Sequence, residues 1–299
     1  MTPFLFATIQ RDSAISFPLL GDFTIDPPAS FSLFGRPVYF YGVLIALGFL
    51  LATLYCSRHA PDFGIKSDDF LDFMLWLIPV SILGARLYFV LFRWEDYAAA
   101  PWTALAVWEG GLAIYGGVIA GIFCAVLVCR HKKIPVAAML DLAVFGLLIG
   151  QILGRWGNFM NREAFGAETE IFCRMGLTDP YGNTIYVHPT FLYESLWNLI
   201  GLLLLIRFQK KGRRRYDGEC AALYFLWYGL GRAWIEGLRT DSLTLGSTGL
   251  RVSQLLSVVL AVGMAVLLLV QSRREHPPEA LYVNRVRPPQ ETTDKNQES

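Results

Sequence analysis

Residues 154–166 read GRWGNFMNREAFG. The residues before them, IPVAAMLDLAVFGLLIGQIL at 134–153, carry a single charge, Asp141. A helix needs roughly 17–25 predominantly apolar residues to cross a bilayer. Position 154 therefore marks the point where an apolar helix meets something other than lipid. A loop that merely returned to water has no need of Arg155, Asn158, Asn161, Arg162 and Glu163 so close together. An arginine presents a rigid fork of donors that matches a phosphate, and Asn158, three residues on, can donate to the same ligand. The stretch reads as a phosphate grip at the edge of a membrane.

Composition agrees with a membrane setting. Of 299 residues, 54% are hydrophobic and only 17% charged, against roughly 25% charged in a soluble domain. Mean hydropathy is +0.41. The net charge of +1 gives no bulk basic field and argues against nucleic acid as a partner. The start, MTPFLFATIQRDSAISFPLL, lacks the basic opening and cleavage site of a signal peptide. Cys56, Cys124, Cys129, Cys173 and Cys220 show no CxxC spacing and read as scattered buried thiols. Four dispersed histidines, with no carboxylate–histidine pair at ligand spacing, predict no metal.

The apolar pattern predicts an all-α integral membrane protein with seven transmembrane helices, at 38–57, 70–92, 112–130, 136–155, 190–208, 219–237 and 252–271. With the N-terminus outside, sixteen of the 26 Lys and Arg fall in inside segments and six in outside segments. Excess positive charge marks the cytoplasmic side, so the chain is read as N-out and C-in. Residues 1–37 then form an extracytoplasmic segment and 38–271 the transmembrane domain. Residues 156–189 form a small extracytoplasmic head between spans four and five. Residues 272–299, polar and proline-containing, read as a disordered cytoplasmic tail.

That topology gives each polar residue within a span a depth. Arg155 ends span four. Tyr228, Arg232 and Glu236, at i, i+4 and i+8 on one helix face, lie in the outer half of span six. Arg86 and Tyr88 lie near the outer end of span two, Tyr39 and Tyr41 begin span one, and Tyr115 is in the first turn of span three. His188, Tyr193 and Glu194 open span five. An ionised residue in mid-helix costs about 2.5–3.5 kcal/mol on insertion scales, so these groups should face an interior cavity and pair there. The plainer alternative is that Arg232 and Glu236 only lock helices together. Gly146, Gly150 and Gly154 in span four, and Gly117 and Gly121 in span three, read as small faces that let helices approach closely. A phospholipid headgroup suits the arginine-lined cavity.

GRWGNFMNREAFG resembles the signature of the prolipoprotein diacylglyceryl transferases. YGVLIALGF at 41–49, GGLAIYGGVIAG at 110–121, HPTFLYES at 188–195 and YGLGRAWIEGLR at 228–239 resemble further family segments in family order. The resemblance covers roughly residues 32–271. It implies a multi-pass enzyme of the bacterial plasma (inner) membrane with its active site toward the outer leaflet. Such an enzyme moves the diacylglyceryl group of phosphatidylglycerol onto the lipobox cysteine of a prolipoprotein signal peptide, without a cofactor. Carried over residue by residue, Arg155, Asn158, Glu163 and Gly166 fall in the signature, Tyr41 opens the first span, and Tyr228, Arg232 and Glu236 form the sixth-span cluster. Arg155, Arg232, Tyr115 and Glu163 are then the candidates for catalysis. Arg155, Asn158, Tyr41, Gly166, Tyr228 and Glu236 are the candidates for holding the lipid.

This chain departs from the family at Tyr115, where many members read HGG with a histidine proposed as the base for the thiol. A tyrosine of pKa about 10 is a poor base at neutral pH. Tyr115 either orients the lipid or acts as the base, and Glu163, Glu236 or the arginine field are the other ways to favour the thiolate. A transporter or scramblase of an anionic solute or lipid is the competing function. It calls for polar residues at mid-membrane and repeat symmetry, and neither is seen.

Overall fold

A computed structural model describes residues 13–21, 23–98, 100–107, 110–240 and 251–287. The long helices are α1 (Phe40–His59), α2 (Ser67–Phe92), α3 (Ile114–His131), α4 (Val136–Asn161), α5 (Thr190–Lys210), α6 (Glu219–Ile235) and α7 (Val252–Ser272). All but α6 are long and apolar enough to cross a membrane. In those six, no more than 39% of the apolar window is buried within the protein. Leu75, Leu83, Ile114, Leu256 and many other large apolar side chains on them are exposed. A soluble protein avoids such large continuous apolar surfaces, so these helix faces are built for lipid. Helix α6 has 17 residues, and at 1.5 Å per residue it is about 25 Å long, at the lower edge of what spans a bilayer. Six membrane-length helices are therefore established among the described residues, not seven.

The chain divides into two units. The first comprises residues 1–52, 144–214 and 219–275. Its head is a four-stranded antiparallel sheet in the order β2–β1–β5–β6, formed by β1 (Ala14–Ser16), β2 (Thr24–Ile25), β5 (Met175–Thr178) and β6 (Thr184–Val187). A separate hairpin pairs β3 (Ser30–Leu33) with β4 (Arg36–Tyr39). The head thus carries strands that the all-α reading did not include, and it recruits the N-terminal segment. Ile15 pairs with Leu177, and both are fully buried in a core with Phe165, Met175, Val187 and Phe191. Helix α4 also runs six residues beyond the expected end of span four, so the head begins after Asn161.

Helices α5 and α6 are clasped by an indole pair. Trp197 Nε1 donates to the Trp227 carbonyl at 3.0 Å, and Trp227 Nε1 donates back to the Trp197 carbonyl at 2.9 Å. Their rings stack at 4.2 Å. Only glycine admits this, since a Cβ on Gly231 would sit 2.2 Å from the Trp197 indole nitrogen. In α4 the glycine pattern plays a smaller part than expected. A Cβ on Gly150 would meet open space, and the close approach belongs to Gly48 of α1, whose Cβ would lie 3.5 Å from the Gly150 Cα.

The second unit comprises residues 53–143, 215–218 and 276–299. Helices α2 and α3 touch backbone to backbone at Gly84 and Gly116, and a Cβ on Gly116 would lie 2.4 Å from the Gly84 carbonyl oxygen. Gly121 continues this seam, 2.8 Å from Ser81 Oγ by the same measure. Past the end of α3, Lys132 Nζ bridges Asp69 Oδ1 at 2.9 Å and Asp72 Oδ2 at 2.5 Å. The tail was expected to be disordered from His276 on, and as far as Arg287 it is not. A helical turn at Tyr282–Val286 packs at Gly64, Asp217 pairs with Arg285 at 2.9 Å and accepts the Tyr282 N–H, and His276 stacks on Tyr216. The local contacts of Asp217 overcome the polar composition of the segment. Residues 288–299 lie outside the described residues.

Candidate active site

The two arginines of GRWGNFMNREAFG do different jobs. Arg162 is 4% exposed and at φ +54° turns its side chain beneath the N-terminal strand. Its guanidinium donates to the carbonyls of Ser13, Met160 and Pro27 and pairs with Asp26 at 2.6 Å. It ties the head to the N-terminal segment at Ser13 and Asp26–Pro27 rather than joining the ion-pair network. Arg155, just past the apolar run and still within α4, points into an ion-pair network.

The centre of that network is Glu194, in the second turn of α5. Arg155 Nη2 reaches its Oε2 at 2.6 Å, and Arg232 Nη1 of α6 reaches its Oε1 at 2.9 Å. Arg239 Nη1 lies 3.7 Å from the same Oε1. Arg232 Nη2 makes a second ion-pair contact with Glu236 Oε2 at 2.7 Å, and Ser253 of α7 donates to Glu236 Oε1 at 2.5 Å. Arg251 donates to the Glu236 carbonyl. On the other side, Arg155 Nη1 donates to Asn158 Oδ1 at 3.2 Å, and Asn158 Nδ2 donates to Glu163 Oε1 at 2.9 Å. The chain Glu163–Asn158–Arg155–Glu194–Arg232–Glu236–Ser253 is continuous.

Arg155, Arg232 and Arg239 converge on Glu194, and Arg232 also holds Glu236. Each guanidinium has five N–H donors. The side chains of Arg155 and Arg232 are 23% and 18% exposed, so donors remain reachable beside the carboxylates they hold. Both line a small, partly open cavity of about 40 Å³, together with Gln151, Tyr228 and Trp197. Ion pairs buried without full compensation are costly, and intramembrane charges are retained where they have work to do.

The fold brings most of the sequence-predicted residues together. Tyr41 lies against α4 because position 157 is glycine, where a Cβ would sit 2.6 Å from its ring. Tyr228 lines the cavity. Glu236 is 3% exposed and begins a 3-10 turn, Glu236–Leu238, that ends α6. Gly166 is walled in by His188, Thr190 and the Leu238 carbonyl, all within 3.1 Å of a Cβ built there. Its backbone bridges antiparallel to Arg239, and this crossing delivers Arg239 to Glu194.

Arg86, expected among the cavity groups, spends its guanidinium on the carbonyls of Thr103, Ala104, Gly110 and Gly111. It fixes the connection ahead of α3. Tyr115 belongs to the second unit, where it lies in the first turn of α3 and is 65% exposed. The sequence placed Glu194 among the groups facing the cavity without giving it a role, and it gave no such place to Arg239. The signal for Glu194 was present, since it is a carboxylate a few residues inside an apolar helix. Arg239 had been counted only as a loop cation.

A family model described as prolipoprotein diacylglyceryl transferase matches residues 28–270. Three similar proteins are each named phosphatidylglycerol–prolipoprotein diacylglyceryl transferase. The one from Enterococcus faecalis is 43% identical over 263 residues, covering 86% of this chain and 93% of its own. That from Halalkalibacterium halodurans is 43% identical, covering 77% and 81%. That from Streptococcus agalactiae is 42% identical, covering 83% and 97%.

Proposed function

Because the chain belongs to the prolipoprotein diacylglyceryl transferase family, we propose that it moves the diacylglyceryl group of phosphatidylglycerol onto the lipobox cysteine of a prolipoprotein. The observation that carries this reading is the sharing of Glu194 by Arg155 and Arg232, which fixes two guanidinium forks beside one cavity. A phosphodiester is the kind of anion such forks hold.

In the proposed reaction the cysteine sulfur attacks the glycerol carbon that bears the phosphate ester. An S–C bond forms, the C–O bond breaks, and its electron pair leaves on the phosphate oxygen. Glycerol phosphate departs, and the thiol proton ends on solvent or on the released phosphate. Charge develops on the leaving phosphate, and Arg155 and Arg232 stabilise it where it develops. Asn158 is held by Arg155 and Glu163, and with Tyr41 it positions the headgroup. The nearby guanidinium groups favour the thiolate of an approaching cysteine. Tyr115 then orients the lipid rather than taking the proton.

The orientation belongs to the same reading. Seven spans with α6 counted among them, the N-terminus outside and the tail in the cytoplasm place the network in the outer leaflet of a bacterial plasma membrane, where secreted precursors present their lipobox. The test is to incubate purified protein in phosphatidylglycerol vesicles with a lipobox peptide. Thioether-lipidated peptide and equimolar glycerol phosphate are expected. Absence of both, with the protein folded, would contradict the reading.

A further inference from the structure

The β3–β4 hairpin has too little beneath it to account for its existence. Its strands are four residues each, and apart from Ser30 and Val38 every residue from 30 to 39 is exposed. A lone two-stranded hairpin is marginally stable in water and needs a further surface to pack on. Its pattern says what kind of surface. The register Phe31↔Val38 and Leu33↔Arg36 puts those four residues on one face, while Ser30, Ser32, Pro37 and Tyr39 take the other. One face is apolar except for Arg36 at the tip end.

The tip carries the second observation. Leu33 pairs with Arg36 across a two-residue loop, Phe34–Gly35, at φ +51° and +77°. Positive φ at both positions defines the turn whose usual occupant is Asn–Gly. A bulky residue there is a genuine backbone outlier, and such strain persists where it serves a purpose. Phe34 is 97% exposed, so intramolecular packing is not that purpose. The third observation is position. Strand β4 passes into α1 without a connecting residue, the Phe40 N–H donates to the Ala29 carbonyl, and Phe31 packs on Phe40 at 5.3 Å between ring centroids. The hairpin is thus fixed to the first turn of a membrane-length helix.

We propose that the hairpin Ser30–Tyr39 is a membrane-contacting arm whose tip, Phe34, inserts into the bilayer interface. Phe31 and Leu33 lie on the lipid and Arg36 snorkels to the phosphates. The proposal rests on α1 crossing a bilayer and is independent of the transfer reaction. Its occupant is the lipid surface itself, because the apolar face is continuous with a span that lipid already surrounds.

The test uses the full chain in phosphatidylglycerol–phosphatidylcholine nanodiscs, with nitroxide labels read by oxygen and nickel-chelate collision. Cys173 is the only one of the five cysteines that is not buried, so labels are placed at Phe34→Cys, Leu33→Cys and Ser32→Cys in a Cys173→Ser background. Tyr181→Cys, on a head turn at a residue 84% exposed, is the aqueous reference, and unsubstituted Cys173→Ser gives the background. The expected result is a higher oxygen-to-chelate ratio at positions 34 and 33 than at 181, with 32 nearer the aqueous value. Equal ratios at 34 and 181, or no difference between 32 and 33, would overturn the proposal. So would an aqueous label at 34 that is immobilised only when lipobox peptide is added, which would make the arm a peptide clasp. Loss of transfer activity in any of these proteins leaves the readout intact.

Discussion

Arg155 Nη2 and Glu194 Oε2 meet at 2.6 Å across two helices, and Arg232 holds the other oxygen of the same carboxylate at 2.9 Å. One acidic group therefore sets the spacing of both cations. Glu194→Gln keeps the shape and removes the charge. Breaking a buried pair by removing one partner costs about 3–5 kcal/mol. The variant should melt several degrees lower in detergent and lose at least about tenfold in kcat/KM, a shift of roughly 1.4 kcal/mol. Thermal unfolding and a peptide-lipidation assay measure the two effects. Wild-type values in both would remove Glu194 from the account.

Tyr115→Phe tests how the thiol loses its proton. A phenol of pKa about 10 accepts a proton weakly at neutral pH, while general base catalysis supplies about 10²–10⁴-fold. If Tyr115 only orients the lipid, loss of its hydroxyl costs about one hydrogen bond, roughly 0.5–1.5 kcal/mol, and kcat falls by no more than about tenfold. The measurement is kcat from pH 6 to 9. A thousandfold loss with the pH dependence abolished would make Tyr115 the base.

Ile15→Ala tests whether the N-terminal strand is part of the head. Ile15 is fully buried against Leu177 and Phe191. Truncating a buried isoleucine costs about 2–5 kcal/mol. The head should become protease-sensitive around the β5–β6 turn at a temperature where the wild type resists. Unchanged proteolysis would show that the strand is dispensable.

The long helices were legible because an apolar run of bilayer length has few other readings. Arg155, Arg232 and Glu236 were legible because charge inside such a run demands a partner. The head was not. Strand β1 is three residues long and pairs with β5 about 160 positions away, a distance over which local pattern carries no information. DPYGN at 179–183 did hold a turn signal, and Asp179 accepts the N–H groups of Tyr181 and Asn183 as such a turn requires. Arg239 was illegible for a different reason. It reaches the site only through the backbone crossing at Gly166. Arg86 misled because an arginine near a cavity and an arginine tied to carbonyls look alike in sequence.

His188 supplies a pH dependence. Burial holds its imidazole below the usual histidine range. A group with a depressed folded pKa stabilises the fold in its neutral form, and that stability is present above the unfolded value, near 6.5, and lost as pH falls below it. The melting temperature should fall between pH 7.5 and 5.5, and His188→Asn should flatten the dependence. A steeper fall in the variant would contradict the sign.

The central claim is that two guanidinium forks, not merely two positive charges, hold the phosphate. The most direct measurement is kcat/KM for Arg155→Lys in phosphatidylglycerol vesicles, beside its melting temperature. An ammonium cannot serve Glu194 and Asn158 together while also meeting a phosphate in bidentate fashion. The account predicts a loss of at least about a hundredfold, roughly 2.7 kcal/mol of transition-state stabilisation, in a protein that still inserts and folds. Wild-type kcat/KM in the lysine variant would contradict it.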